Sequence, residues 1–173
     1  MTRWIFEHNE GDTSRYILGE LGENNLICIG INPSTATPEN LDPTLKKVRT
    51  IAQQHGYDGW VMLNVYPQRD ANPANIHSKQ EDTIITANQN QIRNLLQIGN
   101  FRDVWAAWGD EICRRNYLGH CLRGVVGCFD ETFTWGHFGA LTIKGHPKHP
   151  SRIGYNNQFT EFDINEYITN FKK

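Results

Sequence analysis

The segment Leu26-Ile-Cys-Ile-Gly-Ile-Asn-Pro-Ser-Thr-Ala36 determines how the rest of the chain is interpreted. Its first six residues are almost wholly apolar and rich in β-branched side chains, which is typical of a strand buried on both faces of a parallel sheet. Pro33 disfavours helical geometry at Asn32 and cannot donate a ladder hydrogen bond, so we expect the strand to end there. Asn32 would then lie at the carboxyl end of a central strand, the edge at which open α/β sheets bind ligands.

The composition limits the class of protein. The 173 residues carry a net charge of −2, and 21 % of them are charged while 38 % are hydrophobic. This balance argues against a disordered chain and against a broadly basic nucleic-acid binder. We expect a single domain, 1–173, in which residues 1–25 add an N-terminal hairpin to a core of residues 26–173. Since the sequence contains no signal-peptide pattern and no apolar run of membrane length, we also expect a cytoplasmic protein that does not associate with membranes.

Apolar runs and helical stripes alternate along the chain. The patterns predict strands at residues 26–31, 60–65, 104–108 and 141–143, and helices at residues 43–55, 80–97, 109–121 and 163–171. Two further strand-like pieces, at residues 4–7 and 15–21, predict the N-terminal hairpin. The alternation predicts an α/β protein in which three α/β/α layers surround a mainly parallel sheet of about four strands.

Each of the four predicted core strands ends in a polar or small residue. These residues are Asn32 before Pro33, Asn64, Gly109, and His146 before Pro147. Because the carboxyl ends of parallel strands meet at one edge of a sheet, we expect all four to line one crevice. An Asn64 amide on a rigid strand offers both a donor and an acceptor, which suits bidentate pairing with an amide-like edge of a ligand. The Asn32 amide has no useful pKa for base catalysis, but its oxygen can orient a water molecule.

The densest positive cluster of the chain surrounds the predicted fourth strand end. It consists of Lys144, His146, Lys148, His149 and Arg152. Such a cluster favours contact with a phosphate, or stabilisation of an anion that develops during a reaction.

The cysteines predict no metal site. Cys28, Cys113, Cys121 and Cys128 form no C-x-x-C pair, so neither structural zinc nor an iron–sulfur cluster is expected, and we predict no cofactor. A histidine-based metal hydrolase that uses His137, His146 and His149 remains an open alternative.

The four strand ends together resemble the motifs of the uracil-DNA glycosylase superfamily. Gly30-Ile-Asn-Pro33 is similar to the first motif, in the Asn form of the mismatch-specific thymine/uracil branch. The stretch 59–65 resembles the strand whose Asn pairs with the extruded base, and the stretch 104–109 resembles the strand that ends in Trp-Gly. Gly145-His-Pro147 resembles the last motif, whose His contacts the base oxygen that becomes negative. The likeness covers most of residues 26–171.

The resemblance implies an uracil-DNA glycosylase-like fold, an N-glycosyl hydrolase activity and a role in DNA repair. In this chain, Asn32 and His146 would be the catalytic residues, and Asn64 would read the base. Combined with the basic cluster, the expected substrate-binding residues are Gly30, Pro33, Ser34, Asn64, Tyr66, Gly109, Lys148, His149 and Arg152. The expected partner is a nucleobase-containing small molecule or single-stranded nucleic acid, because Lys148-His-Pro-Ser-Arg152 replaces the wedge that the glycosylases push into a duplex from this position.

A narrower resemblance rests on Asn32-Pro-Ser-Thr-Ala36, Asp42-Pro-Thr44 and Gly145-His-Pro-Lys-His-Pro150. This set resembles an uncharacterised bacterial and phage family of unknown function, within or near that superfamily. It leaves a second function open, which is a module that binds a nucleotide or base in the same pocket without cleaving it.

Overall fold

The computed structural model describes residues 2–171, which form one seven-stranded sheet and four α-helices. The strands are β1 (Arg3–His8), β2 (Arg15–Leu21), β3 (Asn25–Gly30), β4 (Gly59–Asn64), β5 (Phe101–Ala106), β6 (Thr134–Phe138) and β7 (Phe159–Glu161). The helices are α1 (Pro43–Gln54), α2 (Asp82–Ile98), α3 (Leu118–Val126) and α4 (Ile164–Thr169). Short 3₁₀ turns cover Pro73–Asn75, Gly109–Cys113 and Pro150–Arg152.

The strand order is β1-β2-β4-β3-β5-β6-β7, and the sheet is mixed. The inner pairs β4–β3, β3–β5 and β5–β6 are parallel, whereas β1–β2, β2–β4 and β6–β7 are antiparallel. The prediction of a mainly parallel sheet of about four strands is therefore wrong. The antiparallel N-terminal hairpin and β7 extend the sheet at both edges, and the glycosylase-like fold expected with that sheet is corrected to a mixed α/β sheet of seven strands in residues 2–171.

The two faces of the sheet are covered by different helices. Leu45, Val48 and Ile51 of α1 pack on one face, against a cluster that includes Met62 and Trp105. The apolar sides of α2, α3 and α4 pack on the other face. Because β4 and β5 lie on opposite sides of β3, the chain reverses direction across the sheet at β3, and such a reversal opens a crevice at the carboxyl ends of the strands.

Helix α1 begins as its sequence predicts. The Asp42 carboxylate accepts a hydrogen bond from the backbone N–H of Leu45 at 2.8 Å, and Pro43 occupies the first turn, where its missing N–H costs nothing. The helix ends shortly before Gly56, which adopts a φ of 87°. The cap holds the amino end of α1 beside the carboxyl edge of the sheet.

Two predicted elements differ from the structure. Residues 141–143 are not a strand but a turn, in which Leu141 and Ile143 are exposed, and β6 lies seven residues earlier along the chain. Consequently His146 does not terminate a strand. The predicted helix at 109–121 is a 3₁₀ turn followed by α3, because the chain changes direction between Cys113 and Leu118.

No helix within residues 2–171 combines the length and the apolar character that crossing a bilayer requires.

Candidate functional site

A cavity of about 980 Å³ opens at the carboxyl ends of β3 and β4. Its walls come from the strand ends, the amino end of α1 and the segment 148–152. Nine of the eleven site residues expected from the sequence line it. They are Gly30, Asn32, Pro33, Ser34, Asn64, Gly109, Lys148, His149 and Arg152. His146 and Tyr66 do not line it.

The side-chain amide of Asn64 is the most unusual group in this wall. Asn64 is 1 % exposed at the last position of β4, yet neither its Nδ2 nor its Oδ1 has a hydrogen-bond partner. Its backbone carbonyl is satisfied, because Asn88 donates to it from α2 at 2.9 Å. A buried amide without partners costs about 1–3 kcal/mol of stability per unsatisfied group. The amide therefore has an unused donor and an unused acceptor side by side at the cavity wall.

Gly30 places no side chain beside this amide. Gly30 and Asn64 are register partners on the parallel strands β3 and β4, so their Cα substituents point to the same face. A Cβ on Gly30 would lie 3.3 Å from Asn64 Oδ1 and 2.7 Å from Met62 Cε. Any side chain at position 30 would thus fill the approach to the amide.

Asn32 is held by backbone carbonyls. Its Nδ2 donates to the oxygens of Gln68, at 3.3 Å, and Asp70, at 2.9 Å. Two carbonyl acceptors fix the orientation of the amide, since only the nitrogen can donate to them. The oxygen Oδ1 is thereby left as the atom of this side chain that can accept a hydrogen bond from a water molecule.

His146 lies outside the cavity because its ring is turned into the packing between α4 and the 3₁₀ turn at 109–113. Its Nδ1 is 2.7 Å from Tyr167 Oη, and its Nε2 is 3.4 Å from Cys113 Sγ. Burial lowers the pKa of this imidazole. The structure therefore separates the His146 ring from the nine predicted residues that line the cavity.

Tyr66 is also displaced from the expected position. It is fully buried in the core on the α2 side, where its hydroxyl contacts His77 Nδ1 and accepts from the Glu81 N–H. The strand ends at Asn64, and the Tyr66 side chain packs in the core cluster that includes the apolar side of α2. Tyr66 therefore offers no stacking surface in the cavity.

His149 supplies the imidazole that the cavity contains. Its Nδ1 accepts the Ser151 N–H at 3.1 Å, so a neutral ring carries its proton on Nε2. Burial lowers the pKa of His149, which favours this neutral form near pH 7. No described residue contacts Nε2 within hydrogen-bond distance. The ring thus presents a neutral N–H donor.

A close backbone contact positions this histidine. Gly109 adopts a φ of 63°, and its N–H donates to the Pro147 carbonyl at 2.8 Å. A Cβ on Gly109 would lie 3.6 Å from His149 Cβ, in ordinary contact. The segment after β5 is thereby joined to the segment that carries His149, and both belong to one wall.

Charged groups of both signs surround the cavity. The cations are Arg15, Lys148 and Arg152, and the carboxylates are Asp42, Asp70, Asp110 and Glu111. Arg15 is 2 % exposed; its Nε has no partner, and burial lowers its pKa to about 10. Asp42 is occupied, because it caps α1 and accepts from Ser34 Oγ at 2.5 Å. The sequence interpretation missed Arg15, although a charged residue that opens an apolar strand was a usable signal.

The three histidines of the metal-hydrolase alternative do not form one site. His137 Nδ1 lies 2.9 Å from the Gly139 carbonyl, His146 faces Cys113, and only His149 lines the cavity. In the part of the chain that the structure describes, no three His, Cys, Asp or Glu side chains are arranged to hold a metal ion.

Comparison with known proteins identifies a family but no activity. No curated protein and no solved structure matches the chain. One family model, described as a protein of unknown function (DUF1643), matches residues 15–151. This match spans β2 to the 3₁₀ turn that follows His149, and it includes Arg15, Asn32, Asn64, Gly109 and His149. Because the match covers most of the chain, the protein belongs to the DUF1643 family.

Proposed function

We propose that the cavity binds a nucleobase, uracil or a modified base, and hydrolyses the N-glycosidic bond that joins the base to its sugar. The observation that carries the proposal is the Asn64 amide, which is buried, unpartnered and part of the cavity wall. An amide edge pairs bidentately with a ring that presents N–H and C=O side by side. A bound base of this kind would satisfy both orphaned atoms at once.

The neutral imidazole of His149 would assist cleavage of the bond. As the C–N bond breaks, negative charge develops on the departing base, and a preorganised N–H donor at a base oxygen lowers the barrier. His149 Nε2–H has this character, since Nδ1 accepts from Ser151 and burial disfavours the charged ring. His149 would thus perform the step that the sequence assigned to His146.

Asn32 would place the attacking water. The sugar centre left by the departing base resembles an oxocarbenium ion, which is electrophilic enough to need little help from a general base. Asn32 Oδ1 is oriented by the two carbonyls that hold Nδ2, and it can therefore accept a hydrogen bond from a water molecule without competing partners.

The cations of the cavity would hold phosphate. Lys148 and Arg152 line the outer wall, and Arg15 is buried with a free Nε. A substrate that carries a phosphate would compensate the charge of Arg15, which is costly to bury alone. This arrangement favours a nucleotide or a single-stranded nucleic acid that enters the cavity with its base extruded.

A distant relation to the uracil-DNA glycosylase superfamily is part of the proposal. Its support is that Asn32, Asn64 and Gly109, which follow three motif-like strands, line one cavity. The position of His146 departs from the superfamily pattern and favours a second candidate function, a module that binds a base without cleaving it.

One screen separates the two candidates. Uracil-, hypoxanthine- and modified-base oligonucleotides, single- and double-stranded, would be incubated with the protein beside free nucleosides, and the released base would be measured by chromatography. We expect release by the wild type, and a rate roughly 10²–10³ lower in His149→Gln, as is typical for loss of one preorganised donor. His120→Gln, at an exposed position, serves as the matched control. Binding without release would select the non-catalytic module, and absence of both would reject the proposal.

A further inference from the structure

His146 belongs to a chain of hydrogen bonds that runs from the protein interior to an exposed thiol. The buried Trp108 Nε1 donates to Tyr167 Oη at 2.9 Å. Tyr167 Oη lies 2.7 Å from His146 Nδ1, and His146 Nε2 lies 3.4 Å from Cys113 Sγ. Cys113 is exposed at the end of the 3₁₀ turn. The thiol is thus one end of a group of four side chains rather than an isolated cysteine.

The chemistry of the donors fixes the direction of this chain. An indole N–H can only donate, so the Tyr167 oxygen accepts from Trp108 and keeps its single proton for His146 Nδ1. The neutral imidazole then carries its proton on Nε2, which faces Cys113 Sγ. Each hydrogen bond polarises the next one. A donor that points at the sulfur stabilises the thiolate relative to the thiol.

The surroundings of Tyr167 and His146 favour the protonation states that this hydrogen-bond chain requires. Burial raises the pKa of Tyr167 and lowers that of His146, so the phenol is protonated and the imidazole neutral at pH 7. Asp110 and Lys144 are the charged groups that act on His146, and they act in opposite directions. The donor chain is therefore intact at neutral pH.

The other cysteines provide an internal contrast. Cys28 and Cys121 are buried and Cys128 is half-buried. Burial raises the pKa of each of these thiols, in Cys121 to about 12. None of the three combines exposure with an imidazole donor among residues 2–171.

We propose that Cys113 is a reactive thiol that exchanges with small disulfides, and that His146 and Tyr167 are positioning residues that hold an N–H donor against its sulfur. The thiol proton passes to solvent. The Cys113 sulfur then forms a bond with one sulfur of the disulfide, the original S–S bond breaks, and the second sulfur leaves as a thiolate. The proposal does not depend on base recognition in the cavity.

The test uses the native full chain and an aromatic disulfide, dithiobis(nitrobenzoate), whose departing thiolate is coloured. We expect one fast phase, equivalent to one thiol per chain, that is absent in Cys113→Ser. At about pH 6 the wild type should react about 10-fold faster than N-acetylcysteine, because the His146 N–H stabilises the negative charge on the attacking sulfur. Oxidised glutathione, followed by peptide mass spectrometry, should modify Cys113 first.

Tyr167→Phe removes one hydroxyl and tests the donor chain. Without that hydroxyl the imidazole can move its proton to Nδ1, so we expect the variant to lose most of its rate advantage at about pH 6. At about pH 9, where thiols ionise unaided, it should react like the wild type, a contrast that mere loosening of the structure would not produce. Tyr155→Phe, at an exposed tyrosine, is the control. A wild-type rate at about pH 6 equal to that of N-acetylcysteine, or to that of Tyr167→Phe, would overturn the proposal.

Discussion

Gly30 and Asn64 form a register pair at the carboxyl ends of two parallel strands, and both line the cavity, the first without a side chain and the second with a buried amide that has no hydrogen-bond partner. A Cβ at position 30 would come within 3.3 Å of Asn64 Oδ1. Because both amide atoms lack partners, this pair is a place in the cavity wall where hydrogen-bonding capacity is unsatisfied. The predictions below follow from this relationship and from the charges around it.

Asn64→Leu should make the ligand-free protein more stable. Replacement of an unsatisfied buried amide by an apolar group of similar shape removes its desolvation cost, so we expect the free energy of unfolding to rise by roughly 1–3 kcal/mol. Urea denaturation measures it. Asn25→Leu is the matched control, because the Asn25 amide is equally buried but bonds to Gly22 and Asn100, so its loss should destabilise the fold. Destabilisation by Asn64→Leu would mean that the amide has a structural partner.

Gly30→Ala should impair binding more than folding. The new Cβ would displace Met62 Cε, the mobile end of a flexible side chain, at a cost of about 1 kcal/mol. The same methyl would block the approach to Asn64, and we expect affinity for a base to fall roughly 10–200-fold. Titration calorimetry checks this expectation. Gly11→Ala, where no atom lies within 4 Å of the added Cβ, should change neither property.

The free energy of unfolding should decrease as the pH is lowered, and His149 should account for part of this decrease. Burial lowers its pKa in the folded state, so the unfolded chain takes up the proton first when the pH falls below about 6.5. The contribution is therefore present above that pH and is lost as the pH falls further. In urea titrations between about pH 7 and pH 5, the free energy of unfolding should decline less steeply in His149→Gln than in the wild type. Parallel curves would contradict a buried neutral His149.

Arg15→Met should separate phosphate binding from base binding. A charged hydrogen bond contributes about 1.5–3 kcal/mol, so we expect affinity for a nucleoside monophosphate to fall roughly 10–100-fold while affinity for the free base changes little. Calorimetric titrations with both ligands measure the difference. Arg102→Met, which removes the same charge at an exposed position, should leave both affinities unchanged. Equal losses for both ligands would place the phosphate elsewhere.

The sequence predicts β3, β4, β5 and most of the cavity wall, because those features are local. Apolar runs that end in Asn32-Pro33 and at Asn64 identify strand ends without tertiary information, and parallel pairing then brings such ends to one edge. The sequence does not predict how β2 pairs with the core strands, and it does not predict β7 at all. β2 and β7 join the sheet antiparallel, a choice that periodicity does not encode.

The choice between two histidines also lies beyond the sequence. His146 and His149 lie in one short segment and each precedes a proline, so the local sequence does not distinguish the two histidines. Which ring faces the cavity depends on the turn at Gly145, where φ is 87°, and on the distant contact between Gly109 and Pro147. The position of Arg15 also depends on tertiary structure. Arg15 reaches the cavity because β2 of the N-terminal hairpin pairs with β4.

The most direct test of base recognition is a calorimetric titration of wild type and Asn64→Leu with one panel of ligands: uracil, hypoxanthine, modified bases, their nucleoside monophosphates, and short single strands that contain them. We predict that at least one member binds the wild type, and that its affinity drops at least about 10-fold in the variant, since two hydrogen bonds to the ring edge are lost. Binding by no member of the panel, or equal affinity in the two proteins, would contradict a nucleobase held by the amide at the end of β4.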